Sequence, residues 1–539
     1  MLNDAGKRAA AGTAALALTL GAAGAAAVPA PALAAGRPGA EPAPRPAGLD
    51  WRPCPQNDPV EGSRLKGLQC ASIRVPLDHA RPHGRQITLE LTRARHTASE
   101  SQGVVLLNRG GPGAHGRDLP AYFKRYLPPD VFAAYDWIGF DPRGVGASKP
   151  SLSCDPGYRN PGRARPDTIP ANASEERAWR ARAEAYADDC AERYRTVLPH
   201  MGTVDAARDL DEIREALGQK KLNYFGYSYG TYLGAVYATM FPGRVRRMVL
   251  DSVVRPSGVW YENNLDQNVA FEKRIRAYFR WIARHHATYG LGKTQRQVAA
   301  AYERARAALK ADPIDGRIGP TELEEIFLAD GYGDATWPTH AAALSAYVLR
   351  NDPEPLRKAH RPPDAREQNG YAVYTAVECR DAAWPRDWSR WHADAERQYR
   401  QGYRFETWNN TWYNAPCAFW PVQGGPRPEV WGSPALPPIL LVHATEDAAT
   451  PYRGALETHR RFPTSRLVVE SGGGNHGVAF GGDRCVDRAV AAYFETGSVP
   501  ADKSGPDATC AAPPPPEPAA TAKPKRERPV DVPPGAARR

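Results

Sequence analysis

The sequence lacks several patterns that mark common classes of binding protein and enzyme. It contains no Cys-x-x-Cys pair and no close cysteine–histidine cluster, which disfavours a metal site. It contains no GxxxxGKS/T loop, so we expect no nucleotide bound through a P-loop. It also contains no motif typical of DNA-binding or RNA-binding domains, although the net charge is +10. We therefore expect no metal, no organic cofactor and no nucleic acid partner.

A long apolar run occurs only at the start of the chain, and no later run is long enough to span a bilayer. A Lys-Arg pair precedes the run AAAGTAALALTLGAAGAAAV, and the tripeptide at 32–34 matches the small-x-small pattern of a cleavage site. We predict a signal peptide over residues 1–34, cleaved near Ala34, and hence a secreted, extracellular protein without a transmembrane segment. A retained membrane anchor is the alternative, but the run is poor in large hydrophobic residues.

Export makes the eight cysteines informative, because disulfides form and persist in oxidising compartments. Their even number predicts structural disulfides rather than free thiols. Sequence alone cannot choose among the many pairings that eight cysteines allow. The simplest hypothesis joins neighbours along the chain: Cys54–Cys70, Cys154–Cys190, Cys379–Cys417 and Cys485–Cys510.

Short apolar runs alternate with amphipathic helical segments over much of the chain. The runs SIRVPLDH and ITLELTRAR predict an antiparallel pair of strands. The series continues with VVLLN, YDWIGFD, LNYFGY, VRRMVLDSVV, PPILLVHATED and SRLVVESGG, and helical patterns such as DAARDLDEIREALG and TPYRGALETHRRF lie between these runs. The alternation predicts an α/β fold with a mainly parallel sheet covered on both faces.

The alternation stops in the middle of the chain. In residues 255–430, aromatic residues, arginines and helix-forming segments such as FEKRIRAYFRWIARHH and QRQVAAAYERARAALKA predominate. We predict a helical lid inserted between a first part of the core, residues 51–254, and a second part, residues 431–511; an independent helical domain is the alternative. Residues 35–50 are predicted to be a Pro/Ala-rich linker and residues 512–539 a disordered, Pro-rich basic tail.

The stretch NYFGYSYGTYLG places one serine, Ser228, two residues after Gly226 and two residues before Gly230. This G-x-S-x-G spacing suits a sharp strand-to-helix turn that holds its central residue in a strained conformation with the side chain exposed. We predict that Ser228 is a catalytic nucleophile. The alternative is a passive serine in a glycine-containing turn.

A serine nucleophile needs a base, and the base needs a carboxylate to orient it. His476 in GGGNHG follows the last apolar strand, within a glycine-rich loop, and is the predicted general base. Asp447 in ATEDAATP is the predicted orienting acid, because the acid should follow the penultimate strand and the base the last one. Glu446 and Asp251 are the alternative acids, whereas His443 lies within a predicted strand and is expected to be packed in the core.

Negative charge that develops on the substrate needs hydrogen-bond donors, the oxyanion hole. The backbone N–H of Tyr229, directly after Ser228, is one predicted donor. The glycine-rich loop NRGGPGAHG follows an early strand and supplies the other, which we assign to Gly111 with Gly110 as the alternative. A glycine-rich loop could cradle a phosphate instead, but no P-loop pattern accompanies this one.

Together these segments resemble the α/β-hydrolase fold and, within it, the secreted tripeptidyl aminopeptidase and prolyl iminopeptidase-like serine peptidases. The resemblance rests on NRGGPG, DPRGVGAS, GYSYG, ATEDAATP and GGGNHG, in the family's order, and extends over about residues 50–510. AVECRDA and CAFWP are similar to the C-terminal region of the tripeptidyl aminopeptidase branch. Arg109 is a departure, because that branch more often carries proline there. We expect Asp141 and Arg143 of DPRG to brace their turn rather than to take part in catalysis.

The resemblance implies a serine exopeptidase that releases short peptides, commonly tripeptides, from free N-termini of extracellular substrates. A free α-amine needs a carboxylate in the cleft, because a buried ammonium group must be paired. The predicted insertion offers Glu262, Asp266, Glu272 and Glu378. We prefer Glu378, since a disulfide at the neighbouring Cys379 would hold it rigidly. An esterase or lipase, and an inactive hydrolase-like binding protein, remain the alternative functions.

Overall fold

The computed structural model describes residues 48–519. The predicted signal peptide, nearly all of the predicted linker and most of the predicted tail therefore lie outside the described residues. Among residues 48–519, no helix combines the length and the apolar character that crossing a bilayer requires.

Strands and helices alternate in both parts of the predicted core. The strands are β1 (Arg52–Pro53), β2 (Gln69–Pro76), β3 (Gln86–Ala94), β4 (Val104–Asn108), β5 (Asp136–Asp141), β6 (Leu222–Tyr227), β7 (Val245–Asp251), β8 (Ile439–Ala444), β9 (Arg466–Ser471) and β10 (Ala508–Ala511). The helices are α1 (Leu119–Tyr126), α2 (Pro129–Ala133), α3 (Ala173–Tyr194), α4 (Thr203–Ala216), α5 (Tyr229–Met240), α6 (Tyr261–Arg284), α7 (His286–Tyr289), α8 (Gln295–Ala311), α9 (Pro320–Tyr332), α10 (Trp337–Arg350), α11 (Glu354–Ala359), α12 (Ala365–Asp381), α13 (Trp388–Arg400), α14 (Thr407–Asn414), α15 (Pro416–Phe419), α16 (Arg453–Arg461) and α17 (Arg484–Thr496).

The strands form a ten-stranded sheet in the order β1-β2-β3-β5-β4-β6-β7-β8-β9-β10. The pairs β1/β2, β2/β3 and β3/β5 are antiparallel, and the antiparallel pair predicted from SIRVPLDH and ITLELTRAR is confirmed as β2/β3. From β5 across to β10 every neighbouring pair is parallel. The prediction of a mainly parallel sheet is therefore confirmed.

Both faces of the parallel sheet are buried, which explains why its strands read as continuous apolar runs. Every residue of β4 and of β8 is buried. Leu106 and Leu441 belong to the core cluster on one face. Their neighbours Leu107 and Val442 belong to the cluster on the other face. Because successive side chains of a strand point to opposite faces, each of these strands contributes to two cores.

The regular secondary structure between β7 and β8 is helical. Residues 255–430, all of them described, contain the ten helices α6 to α15 and no strand. Part of this insertion packs on a core of its own that includes Phe271 and Leu344. Another part, including Tyr371 and Trp412, joins the core cluster on one face of the sheet. The insertion is thus packed against the sheet as well as on itself.

All eight cysteines are paired, and the four pairings are those predicted from chain neighbours. Two of the bridges fix short strands, since one lies beside β1 and another includes a residue of β10. A third anchors α3, and the fourth joins α12 to α15 within the insertion. Disulfides of this kind stabilise mainly by restricting the unfolded chain.

Candidate active site

Ser228 lies at the sharp turn between β6 and α5. Its backbone has φ 54° and ψ −124°, a conformation that is strained for a residue with a side chain. A Cβ atom at Gly226 would lie 2.5 Å from the Gly230 carbonyl oxygen, and a Cβ at Gly230 would lie 2.7 Å from Asn108 Oδ1. A side chain at Gly226 would clash with backbone, and one at Gly230 would displace the Asn108 side chain, which gives the G-x-S-x-G spacing its physical reason.

The loop after β4 packs directly against this turn. A Cβ atom at Gly110 would lie 2.4 Å from a carbonyl oxygen of β6, and the Gly110 N–H donates to Asn108 Oδ1 at 2.9 Å. The Gly111 N–H donates no hydrogen bond within the described part of the chain. Tyr229 is the first residue of α5, so its N–H has no acceptor within the helix. The amides of Gly111 and Tyr229 are therefore available to a substrate, whereas the N–H of the alternative donor, Gly110, already donates to Asn108.

His476 and Asp447 form a buried, hydrogen-bonded pair. His476 Nδ1 lies 2.9 Å from Asp447 Oδ2 and 3.1 Å from Oδ1. The carboxylate also accepts from the N–H groups of Ala449 (2.9 Å) and Thr450 (3.0 Å). Burial acts to raise the pKa of Asp447, but the charge and hydrogen bond of His476 outweigh it and lower the pKa to about 2. Asp447 is therefore ionised at neutral pH and holds the imidazole by a hydrogen bond.

The second nitrogen of the imidazole, His476 Nε2, makes no hydrogen bond within the described residues, so it is not bonded to the Ser228 hydroxyl. Two residues that line the same cavity as Ser228 contact the imidazole. The Tyr332 ring lies edge-on with its centroid 5.6 Å away, and Thr450 Oγ1 lies 3.4 Å from Nδ1. Hydrogen bonds between a catalytic serine and its base often tighten only when substrate binds.

The alternative acids have other roles within residues 48–519. Asp251, at the end of β7, is fully buried, and its carboxylate accepts from two backbone N–H groups of the loop that carries His476. Glu446 is exposed. His443 is fully buried in β8, where Nδ1 accepts from a backbone N–H at 2.9 Å, and burial lowers its pKa to about 4. It is thus a neutral, packed histidine, as predicted.

Ser228 lines a cavity of about 500 Å³ that the core and the insertion form together. One wall is α12, and it lies very close: a Cβ atom at Gly113 of the loop after β4 would be only 2.2 Å from the Gly370 carbonyl oxygen. The volume is typical of pockets for small ligands. Other lining residues include Gly111, Tyr229, Trp260, Tyr332, Tyr371 and Glu378.

The four candidate carboxylates of the insertion lie in different surroundings. Glu378, on α12, is 4% exposed and lines the cavity. Asp266 lines the cavity too, but it is ion-paired with two arginines. Glu272 is buried outside the cavity lining and pairs with Arg276 at 2.7 Å, and Glu262 is exposed. Glu378 is therefore the member of this set that is both buried and in the lining of the cavity.

The DPRG segment is a structural brace. The Asp141 carboxylate accepts from the N–H groups of Gly116 (3.1 Å) and Ala147 (2.9 Å), which fixes the end of the glycine-rich loop. The Arg143 guanidinium is buried and lies 2.6 Å from an Asp209 oxygen. These contacts agree with the expected bracing roles.

Two residues near the site, Asn108 and Tyr332, were not predicted from the sequence, and Arg109 was noted without a role. Asn108 fixes Gly110, and its position as the last residue of β4 before the glycines was a usable signal. Tyr332 contacts His476 from the end of α9, and no spacing in the sequence predicts this contact. Arg109, the departure from the family pattern, pairs with Asp118 and lines the cavity.

Comparisons with known proteins agree with this geometry. Residues 103–481 match the family model described as alpha/beta hydrolase fold. The chain is 44% identical to a tripeptidyl aminopeptidase of Streptomyces coelicolor, over 86% of this chain and 86% of that protein. It is 31% identical to serine protease Hip1 of Mycobacterium tuberculosis, over 84% of this chain and 89% of that protein. It is also 31% identical to carboxylesterase B of the same species, over 84% of this chain and 88% of that protein.

The match to the family model spans most of the folded chain, and the relatives align over nearly their full lengths. The sheet order, the strained serine turn and the loops at the carboxyl ends of the strands are those expected of this fold. The chain therefore belongs to the α/β-hydrolase family and, within it, to the group that includes the tripeptidyl aminopeptidases of Streptomyces.

Proposed function

We propose that this chain is a secreted serine exopeptidase that releases short peptides, chiefly tripeptides, from the free N-termini of peptides and proteins. The observation that carries the proposal is that a strained serine and a buried carboxylate, Ser228 and Glu378, line one cavity. The serine offers a nucleophile, and the carboxylate offers a counterion for an α-ammonium group. The 44% identical relative named tripeptidyl aminopeptidase supports the same activity.

In the proposed acylation step, Ser228 Oγ attacks the carbonyl carbon of the scissile peptide bond. His476 Nε2 takes the hydroxyl proton as the bond forms. The carbonyl oxygen becomes an oxyanion and accepts from the N–H groups of Gly111 and Tyr229. His476 then gives the proton to the leaving amine, which departs and leaves the released peptide esterified to the serine.

In the proposed deacylation step, His476 takes a proton from water, and the water oxygen attacks the ester carbonyl. The same two amides accept the second oxyanion, and the proton returns to Ser228 Oγ as the ester bond breaks. Asp447 keeps Nδ1–H of the imidazole as donor throughout, so Nε2 faces the reaction as the acceptor. No step needs a metal or an organic cofactor.

The preference for free N-termini is assigned to Glu378. A buried ammonium group costs much free energy unless a carboxylate pairs with it. Three other insertion carboxylates line the cavity, but none is buried: Asp266 is ion-paired with Arg255 and Arg453, and Asp364 and Glu367 form the cap at the start of α12. The neighbouring disulfide Cys379–Cys417 supports a fixed position for Glu378 at one end of the substrate.

Secretion is part of the proposal. The four disulfides support folding in an oxidising compartment. The predicted signal peptide, residues 1–34, lies outside the described residues. N-terminal sequencing of protein from the culture medium should begin near Ala35, and full-length protein that stays with the membrane fraction would contradict export with cleavage.

The activity is tested by comparing turnover of three substrates: a tripeptidyl anilide with a free amine, its N-acetylated analogue and a p-nitrophenyl ester. We expect the highest kcat/KM for the free tripeptide. A preference for the blocked peptide would remove the aminopeptidase assignment.

An esterase is the second candidate, because a 31% identical relative is named carboxylesterase B. Higher kcat/KM for the ester than for every peptide would favour it. Failure of a fluorophosphonate probe to label Ser228 in folded protein would instead favour an inactive binding protein.

A further inference from the structure

Asp251 is a fully buried carboxylate at the centre of the active-site edge of the sheet, yet it is not the partner of the His476 imidazole. It is the last residue of β7. This strand lies between β6, which leads to Ser228, and β8, which leads to Asp447. A buried carboxylate must be paired, so its partners show what it holds in place.

The partners of Asp251 are backbone amides of the loop that carries the proposed base. The Val478 N–H lies 3.0 Å from Oδ1 and 3.1 Å from Oδ2, and the Ala479 N–H donates to Oδ2 at 2.7 Å. The adjacent Ser252 hydroxyl accepts from the Gly477 N–H at 2.7 Å. Two consecutive residues at the end of β7 thus bind the three successive amides that follow the base.

Within residues 48–519, these three N–H groups have no acceptors other than Asp251 and Ser252. Residues 477–479 belong to neither a helix nor a strand, so no regular ladder of hydrogen bonds fixes them. Val478 and Ala479 are buried, and water cannot replace a lost acceptor there at low cost. The side chains of Asp251 and Ser252 therefore hold this part of the loop from the side of the sheet.

The same residue also contacts the nucleophile turn. The Ser228 N–H donates to the Asp251 carbonyl oxygen at 2.9 Å. Asp251 therefore binds the backbone of the serine through its main chain and the backbone of the histidine loop through its side chain. Both contacts are made by one residue of a central strand, which leaves little freedom between the two loops.

We propose that Asp251 is a positioning residue that fixes the loop of His476 relative to Ser228 and so sets the distance over which the proton moves. The inference rests on the roles proposed above for Ser228 and His476. Asparagine at this position would keep one acceptor oxygen but would place an NH₂ group against a backbone N–H. The loop would have to shift, and a displacement of about 1 Å in such a constellation costs on the order of 10²-fold in rate.

The first test compares Asp251→Asn with Asp507→Asn. Asp507 is a matched control, since it is also buried and accepts from the backbone N–H groups of Leu467 (2.6 Å) and Lys503 (2.9 Å), at the far end of β9. We expect both variants to lose thermal stability. Only Asp251→Asn should lower kcat, by about a hundredfold, with KM little changed. A folded Asp251→Asn protein with the kcat of the parent would overturn the proposal.

The second test repeats Asp251→Asn in a His476→Ala background, with an activated p-nitrophenyl ester so that residual turnover can be measured. A residue that acts through His476 should cost nothing further once the imidazole is gone. An equal loss in both backgrounds would show that Asp251 acts in another way and would overturn the proposal. Parent activity in His476→Ala alone would instead refute the proposed base.

Ser252→Ala provides a milder variant in case Asp251→Asn does not fold. It removes one of the three loop contacts and leaves the carboxylate in place. We expect kcat to fall by about tenfold with KM little changed, a smaller displacement than the carboxylate change produces. An unchanged kcat in folded Ser252→Ala would refute the claim that these amide contacts position the base.

Discussion

Replacing Glu378 with glutamine tests how the enzyme selects free N-termini. Glutamine keeps the size and one acceptor oxygen of the side chain but removes the negative charge. Because the residue is 4% exposed, solvent screens its charge only weakly. Hydrogen bonds to charged groups contribute about 1.5–3 kcal/mol, and a buried ammonium that loses its counterion costs at least as much. A loss of about 2–3 kcal/mol corresponds to a fall in kcat/KM of about 30- to 150-fold.

The assay compares a free tripeptidyl anilide with a p-nitrophenyl ester that has no amine. We expect the full loss for the anilide and little change for the ester, since the proposed catalytic residues are untouched. Glu272→Gln is the matched control, because it also removes a buried carboxylate of the insertion but lies outside the cavity lining. Equal losses on both substrates, or no loss on the anilide, would refute Glu378 as the amine-binding residue.

The remaining predictions concern the nucleophile, its turn and the orienting acid. Ser228→Ala should lower kcat by about 10⁶ without changing the thermal unfolding curve, and turnover close to that of the parent would refute the nucleophile. Gly230→Ala should abolish fluorophosphonate labelling, because the new Cβ would lie 2.7 Å from Asn108 Oδ1; normal labelling would contradict this packing. Asp447, with a pKa lowered from 3.8 to about 2, contributes stability that is present above about pH 4 and is lost as the pH falls through about 2. Asp447→Asn should therefore flatten that part of the acid-unfolding curve, and an unchanged curve would be evidence against the ion pair.

The long buried strands could be predicted from sequence, but the edges of the sheet could not. The six strands β4 to β9 are largely buried on both faces and read as apolar runs, and these six and the antiparallel pair β2/β3 are the eight predicted strands, all of them present. β1 and β10 have two and four residues, too few to show a pattern, and each is held by a neighbouring disulfide. α3 was also missed, although Asn172 caps it by accepting from the N–H groups of Ser174 and Glu175.

The residues of the candidate site could be predicted where they directly follow the end of a strand. Asp447 and His476 follow successive strands of a parallel sheet, and the structure brings them within 2.9 Å. The choice between Gly110 and Gly111 depends on one side-chain contact, that of Asn108, which spacing does not reveal. The choice among the insertion carboxylates depends on which side chains are buried and on which side chains reach the cavity. Both are properties of the packed insertion.

The packing of the insertion against the histidine loop also changes how its role should be understood. The His476 N–H donates to the Tyr332 carbonyl oxygen at 2.7 Å, from the end of α9. Asn475 Oδ1 accepts from the Asp334 N–H at 3.0 Å and from the Arg274 guanidinium of α6 at 3.2 Å. A cap that contacted only substrate could open without disturbing the catalytic residues.

Here α6 and the end of α9 hold the loop of the proposed base, His476, from one side, while Asp251 and Ser252 hold the same loop from the sheet. Any outward movement of these two elements would break hydrogen bonds to the residues at and just before His476. We therefore expect that a movement of α6 and α9 large enough to open the cavity would also displace the proposed base.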